Sequence, residues 1–337
     1  MALALCVCPE LAAAEILLAP GFAIRVYVTG EGFETPTGTS GRGIPSTSTL
    51  AVDDKGVLYL GRTGRRYSSG EYEYLTPLYR IPAGGARLTP STESRYFYGP
   101  PLVNAQVGGS RSGRDLLVTT FDRDRRVGAL YRVSNGRAQL LAGGTPEEGM
   151  ALLLVQPEGS VVDGAGTVYV ADRERGVVLS LDSGGKVLDP AYVRVTRPRV
   201  LAVDEANQLW IASDGNAEAP WQPGPGELWR VGPGGERQRI LEGPLAQGLA
   251  SGPGGAIFFG DRQGSEIFAV KSDGRRVSLA RFTDGHAPRG LTFVPDTAET
   301  RAAGIAGDLL VVVIRSGVFQ LNEIMRISGP FHELVRP

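Results

Sequence analysis

The chain has 337 residues, 42 % of them hydrophobic and 21 % charged, with a formal net charge of −1. That balance is globular, and the absence of a basic stripe excludes the electrostatic footprint of a nucleic-acid binder. No apolar run approaches the ~20 residues that cross a bilayer as a helix. Glycine, at 47 residues, sits in turns between alternating segments, which is the composition of a many-turn β protein.

The first fourteen residues, MALALCVCPELAAA, read as the end of a secretory signal. A short apolar stretch is followed by Ala12-Ala13-Ala14, an A-x-A-like cleavage site before Glu15, although a positive n-region is missing. Both cysteines, Cys6 and Cys8, fall inside this segment. The mature chain, 15–337, is therefore expected to be one domain, periplasmic or secreted, with neither disulfide nor thiol chemistry.

A strand, FAIRVYVTG from Phe22 to Gly30, then stands without a partner of its own. After it one phrase recurs six times, about fifty residues apart. It consists of an apolar strand, a Gly/Asp turn, a second apolar strand, a loop, and an aromatic-rich third strand ending in a glycine turn. The second strands are VLYLGR (from Val57), LLVTTF (Leu116), VYVADR (Val168), LWIASD (Leu209), IFFGDR (Ile257) and LLVVVI (Leu309). Such a period with about four short strands per unit is the mark of a β-propeller. The expected fold is all-β: a six-bladed β-propeller with mostly four-stranded antiparallel blades. Its ring closes through the N-terminal strand, which hides an otherwise exposed edge; the tail FHELV from Phe331 competes for that place.

In this architecture the residues just before each inner strand ring one mouth of the channel. They are Ser46, Asn104, Glu158, Arg199, Gln247 and Arg289, with His286 on the same kind of loop. One carboxylate, two guanidiniums and two amides suit an anionic or polar ligand, Glu158 serving as partner or base. The same groups also suit a structural ion-pair network. The longest loops of that face, in blades 1 and 4, carry Tyr67, Tyr72, Tyr74 and Trp221, which either stack on a ligand or anchor the loops. Asp122, Asp172, Asp214 and Asp261 end four second strands, and their repetition argues for turn amides rather than a metal.

The strand phrases resemble those of NHL-repeat and six-bladed sugar-dehydrogenase/gluconolactonase-like propellers. LLAPGFAIRVYVTG and APRGLTFVPD…AGDLLVVVIRSG resemble the soluble glucose/sorbosone dehydrogenase family in particular. That resemblance implies pyrroloquinoline quinone with calcium, and a catalytic histidine at the start of an early inner strand. The matching stretch here is PLVNAQVGGS, with Asn104 and no histidine. The quinone is accordingly disfavoured, and calcium is left open. A gluconolactonase-like metal hydrolase would draw on Glu158, Asn104 and Asp261, with Gln247 where that group has asparagine. The leading expectation is an exported propeller that binds a small polar molecule, a glycan or a protein at the channel mouth. A sugar-dehydrogenase-like quinoprotein or a gluconolactonase-like hydrolase is the alternative.

Overall fold

The computed structural model describes residues 16–45, 47–108, 115–144, 153–218, 222, 224–271, 273–283, 285–314 and 321–336. The repeated phrase folds into antiparallel sheets, as short apolar segments bounded by turn residues require. Blade 3 is the plainest, pairing Pro157–Val162, Val168–Asp172, Val177–Leu181 and Val187–Arg194 in that order. The inner strands of blades 1 to 6 are Thr47–Val52, Gln106–Gly108, Pro157–Val162, Pro198–Val203, Ala246–Ser251 and Ala287–Phe293. Each contacts the inner strand of the next blade, and the last contacts the first. The protein is an all-β six-bladed β-propeller.

The turn after the inner strand has a recurring chemistry. Oδ1 of Asp53 accepts the amides of Lys55 and Val57, and Oδ1 of Asp163 those of Ala165 and Thr167. The second carboxylate oxygen takes an aromatic donor six residues on: Tyr59 and Tyr169 at 3.3 Å, and Trp210 Nε1 on Asp204 at 2.8 Å. The phrases VDDKGVLY, VDGAGTVY and VDEANQLW are thus one hydrogen-bonded turn written three times.

The buried side chains do not gather in one central core. Among the described residues they form six clusters, one at each interface between neighbouring blades. Between blades 4 and 5, Trp210 and Leu228 meet Phe259 and Phe268. Strands covered on both faces lose the two-residue alternation, which is why Leu209–Ser213 and Ile257–Asp261 are buried throughout.

Ring closure follows the same logic. Ala23–Gly30 pairs antiparallel with Leu321–Ser328 of blade 6, Ile24 opposite Ile327 and Val28 opposite Ile324. Ile16–Leu18 extends blade 5, and Ala86–Leu88 of blade 1 adds in parallel to Ala23–Gly30, tying the first blade to the last. The tail does not take the strand position. Phe331–Leu334 is a short helix, and the Phe331 ring packs edge-on against Phe22 at 4.9 Å and Phe293 at 5.0 Å. Among the described residues no helix is long and apolar enough to cross a membrane. The leader-like segment lies outside the described residues.

Val28 is fully buried in the cluster that joins blades 6 and 1. Val28→Asp should lower stability by at least about 3 kcal/mol, because a carboxylate is forced into an apolar seam. Leu188→Asp, at a position 56 % exposed on blade 3, should change it by about 0.5 kcal/mol or less. Urea unfolding compares the two; equal midpoints would show that the N-terminal strand does not hold the ring.

Candidate functional site

Five of the six inner strands begin irregularly. Their pairing with the second strand shifts between Thr47 and Leu50, Pro157 and Gly159, Pro198 and Val200, Ala246 and Gly248, and Pro288 and Leu291. A bulge of this kind breaks the ladder and re-aims the extra side chain. Glu158, Arg199, Gln247 and Arg289 fall within these shifts, and all four line a channel cavity of about 710 Å³. Neighbouring inner strands also approach closely. A Cβ on Gly159 would fall on the Arg199 carbonyl oxygen, and one on Gly248 on that of Arg289. Glycine at these points lets Glu158 of blade 3 meet Arg199 of blade 4.

Those two residues belong to an ion-pair network across blades 3 and 4. Arg199 grips Asp214 with both arms of its fork, Nε to Oδ1 at 2.9 Å and Nη2 to Oδ2 at 2.6 Å, and donates from Nη1 to Glu158. Arg173 donates to Asp214 Oδ2 at 2.9 Å and to the Glu218 carbonyl at 2.6 Å. Two guanidiniums thus face two carboxylates, with Asp214 fully buried. Burial opposes the Arg199 charge, but Glu158 and Asp214 outweigh it and hold the group above its ordinary range.

The blade 5 and 6 side of the mouth is not balanced in this way. Arg289 donates to the Thr47 carbonyl at 3.0 Å, and neither it nor Arg262 forms an ion pair among the described residues. Burial, then the charges of Arg262 and Arg199, push the Arg289 guanidinium down to about 10. Burial, then Arg199, lowers Arg262 as well. Both side chains line the channel, as does the exposed Arg123 on blade 2. Gln247, beside them, keeps a buried Oε1 with no partner among the described residues.

The remaining sequence candidates are placed differently. Asn104 does not line the channel; it sits at φ +48° and donates to the Phe121 carbonyl at 3.2 Å. Gln106 takes the blade 2 position, accepting from Ser48 Oγ of blade 1 at 2.9 Å. Half-buried His286 is also off the channel, its Nδ1 3.3 Å from the Thr283 carbonyl. Tyr72 lies in a small hairpin, Arg65–Arg66 with Tyr72–Glu73, and its ring meets Tyr74 at 4.6 Å, so these tyrosines pack on one another. Ser46 and Trp221 lie outside the described residues.

Asp122, Asp172 and Asp261 accept turn amides, from Asp124, Val155 and Gln263 among others. Asp214 departs by holding two arginines instead. The arginines that follow three of these aspartates are missing from the sequence candidates, although they line the channel. Asp122-Arg123, Asp172-Arg173 and Asp261-Arg262 repeat at one register, and each arginine reaches the channel. That repeated pair was the available signal. Among the described residues no three His, Cys, Asp or Glu side chains gather to hold a metal, so the grouping of Glu158, Asn104 and Asp261 around one ion is not formed.

No protein-family model matches the chain, and no curated protein does. Solved structures do. The pyrroloquinoline quinone-bound aldose sugar dehydrogenase of Streptomyces coelicolor is 13 % identical, with TM-score 0.57 over 93 % of this chain and 100 % of that one. The apo-form soluble aldose sugar dehydrogenase of Escherichia coli is 12 % identical, with TM-score 0.54 over 92 % and 100 %. A chain of the nidogen/laminin complex is 15 % identical, with TM-score 0.52 over 81 % and 98 %. At such identities the likeness is one of fold, shared by sugar dehydrogenases and by a component of a protein–protein complex.

One expectation is overturned here. The quinone was disfavoured because Asn104 stands where a histidine was expected. Asn104 is not a channel residue, and a quinone-bound dehydrogenase shares the fold over nearly the whole chain. The missing histidine therefore does not speak against pyrroloquinoline quinone. By charge, its carboxylates suit Arg262 and Arg289.

The network itself makes a stability prediction. Asp214→Ala leaves Arg173 and Arg199 sharing Glu158, and should cost about 3–5 kcal/mol. Asp122→Ala removes turn hydrogen bonds and an exposed ion pair with Arg125, and should cost about 1 kcal/mol. Denaturant midpoints measure both; equal losses would make Asp214 one more turn residue.

Proposed function

We propose that this propeller is exported, and that its channel mouth binds a small polar ligand carrying an anionic group, of the size of a sugar acid. The observation behind this reading is the pair Arg262 and Arg289. Two guanidiniums from adjacent blades line a concave site, repel one another and form no ion pair among the described residues. An arriving carboxylate or phosphate would supply the missing countercharge through charge-assisted hydrogen bonds. The cavity volume, about 710 Å³, is in the range of small-molecule sites. Arg199 contributes less, because Asp214 and Glu158 already use its donors. Export rests on the leader-like MALALCVCPELAAA.

A second reading, a sugar-dehydrogenase-like quinoprotein, is favoured by the likeness to the quinone-bound enzyme. Pyrroloquinoline quinone, when bound, supplies a two-electron acceptor. In this chain Arg262 and Arg289 would hold its carboxylates and orient it in the mouth, and the blade walls would limit access of water.

Isothermal titration with D-gluconate and, as the neutral control, D-glucose tests the first reading. Gluconate should bind and glucose should not. Arg262→Ala combined with Arg289→Ala should weaken gluconate about 100-fold while the melting temperature holds or rises. Unchanged affinity in the double variant would remove the anion site. Pyrroloquinoline quinone added in the same format tests the second: a thermal upshift with dye reduction on aldoses supports it, and no shift rejects it.

A further inference from the structure

We infer that the ligand of this mouth carries two anionic groups and bridges it from the blade 5–6 side to blade 2. This rests on the reading of the mouth as an anion site and adds the number and placing of the charges. In a ring of six, blade 2 lies opposite blade 5. Arg123 follows Asp122 at the end of the second strand of blade 2, and Arg262 follows Asp261 at the same register of blade 5. The two arginines are therefore related by half a turn about the channel axis. Both line the same cavity, and neither forms an ion pair among the described residues.

The third copy of the Asp-Arg pair behaves differently, and the difference is informative. Arg173 of blade 3 occupies the same register, but Asp214 and the Glu218 carbonyl consume its donors. Arg199 beside it is consumed by Asp214 and Glu158. The flank formed by blades 3 and 4 is thus internally neutral, while Arg123 and Arg262, at the two ends of the blade 2 to blade 5 line, stay without an ion pair among the described residues. A ligand with one anionic group would neutralise one pole and leave the other facing water. A ligand with an anionic group at each end satisfies both, and the hydrogen-bonding groups of Gln106, Gln156 and Glu158 lie along the wall between them for a hydroxylated body. A sugar diacid has this chemistry.

D-Glucarate and D-gluconate make the comparison, since they share the hydroxylated six-carbon body and differ by one carboxylate. Glucarate should bind at one site per chain, at least about tenfold tighter than gluconate. Arg123→Ala, an exposed position, should bring glucarate down to the gluconate value and leave gluconate unchanged. Equal affinities in the parent protein overturn the bridging ligand and leave the anion site standing. Two gluconates bound per chain, or Arg123→Ala weakening both acids alike, overturn it too. Should neither acid bind, the anion-site reading itself fails and this inference with it.

Discussion

Everything in this molecule depends on closing the ring. A propeller blade is a twisted sheet with two apolar faces, and each face must meet a neighbour. Six blades in a row would leave one face of the first and one of the last in water. The antiparallel seam between Ala23–Gly30 and Leu321–Ser328, backed by Ala86–Leu88, joins the two ends of the chain in one sheet. That seam fixes the position of blade 6 against blade 1, and hence the diameter of the channel. The six interface clusters are then equivalent in kind, and stability is distributed around the circle instead of concentrated at the centre.

A channel closed in this way has inner strands too near one another for ordinary side chains at every point. Glycines such as Gly159 and Gly248 relieve the contact, and the adjacent bulges throw the neighbouring residues toward the axis. Polar groups from different blades are thus brought together at the mouth by a packing requirement. Their charges are then sorted unequally. Asp214, where other blades have a turn aspartate, joins Glu158 in neutralising two arginines and welds blades 3 and 4. Among the described residues no carboxylate forms an ion pair with Arg262 or Arg289, so these two remain in tension with each other. This asymmetry, laid over a nearly repeating scaffold, separates a side of the mouth with paired charges from one without.

Much of the scaffold could be read from the chain. The Asp-to-aromatic spacing in VDGAGTVY and VDEANQLW encodes its own turn, because donor and acceptor lie six residues apart and need no distant partner. The placing of Glu158, Arg199, Gln247 and Arg289 on one mouth was legible for a related reason: each stands at the start of a clear inner strand. Asn104 was misplaced because the inner strand of blade 2, Gln106–Gly108, is short, and a left-handed residue precedes it. The position of Arg123, Arg173 and Arg262 on the channel is not legible in the sequence, because an Asp-Arg pair at a turn looks locally like a capped, solvated loop.

The sequence alone determined the blade count, the strand order within each blade and the turn chemistry, all of which arise from interactions between residues close along the chain. Tertiary structure decided that the N-terminal strand, and not the tail, seals the ring, because that choice turns on which segment offers an apolar face to blade 6. It also decided which arginines are neutralised. Whether a guanidinium meets a carboxylate at the mouth depends on residues far apart in the chain, 41 positions for Arg173 and Asp214, and only the closed ring brings them within 2.9 Å.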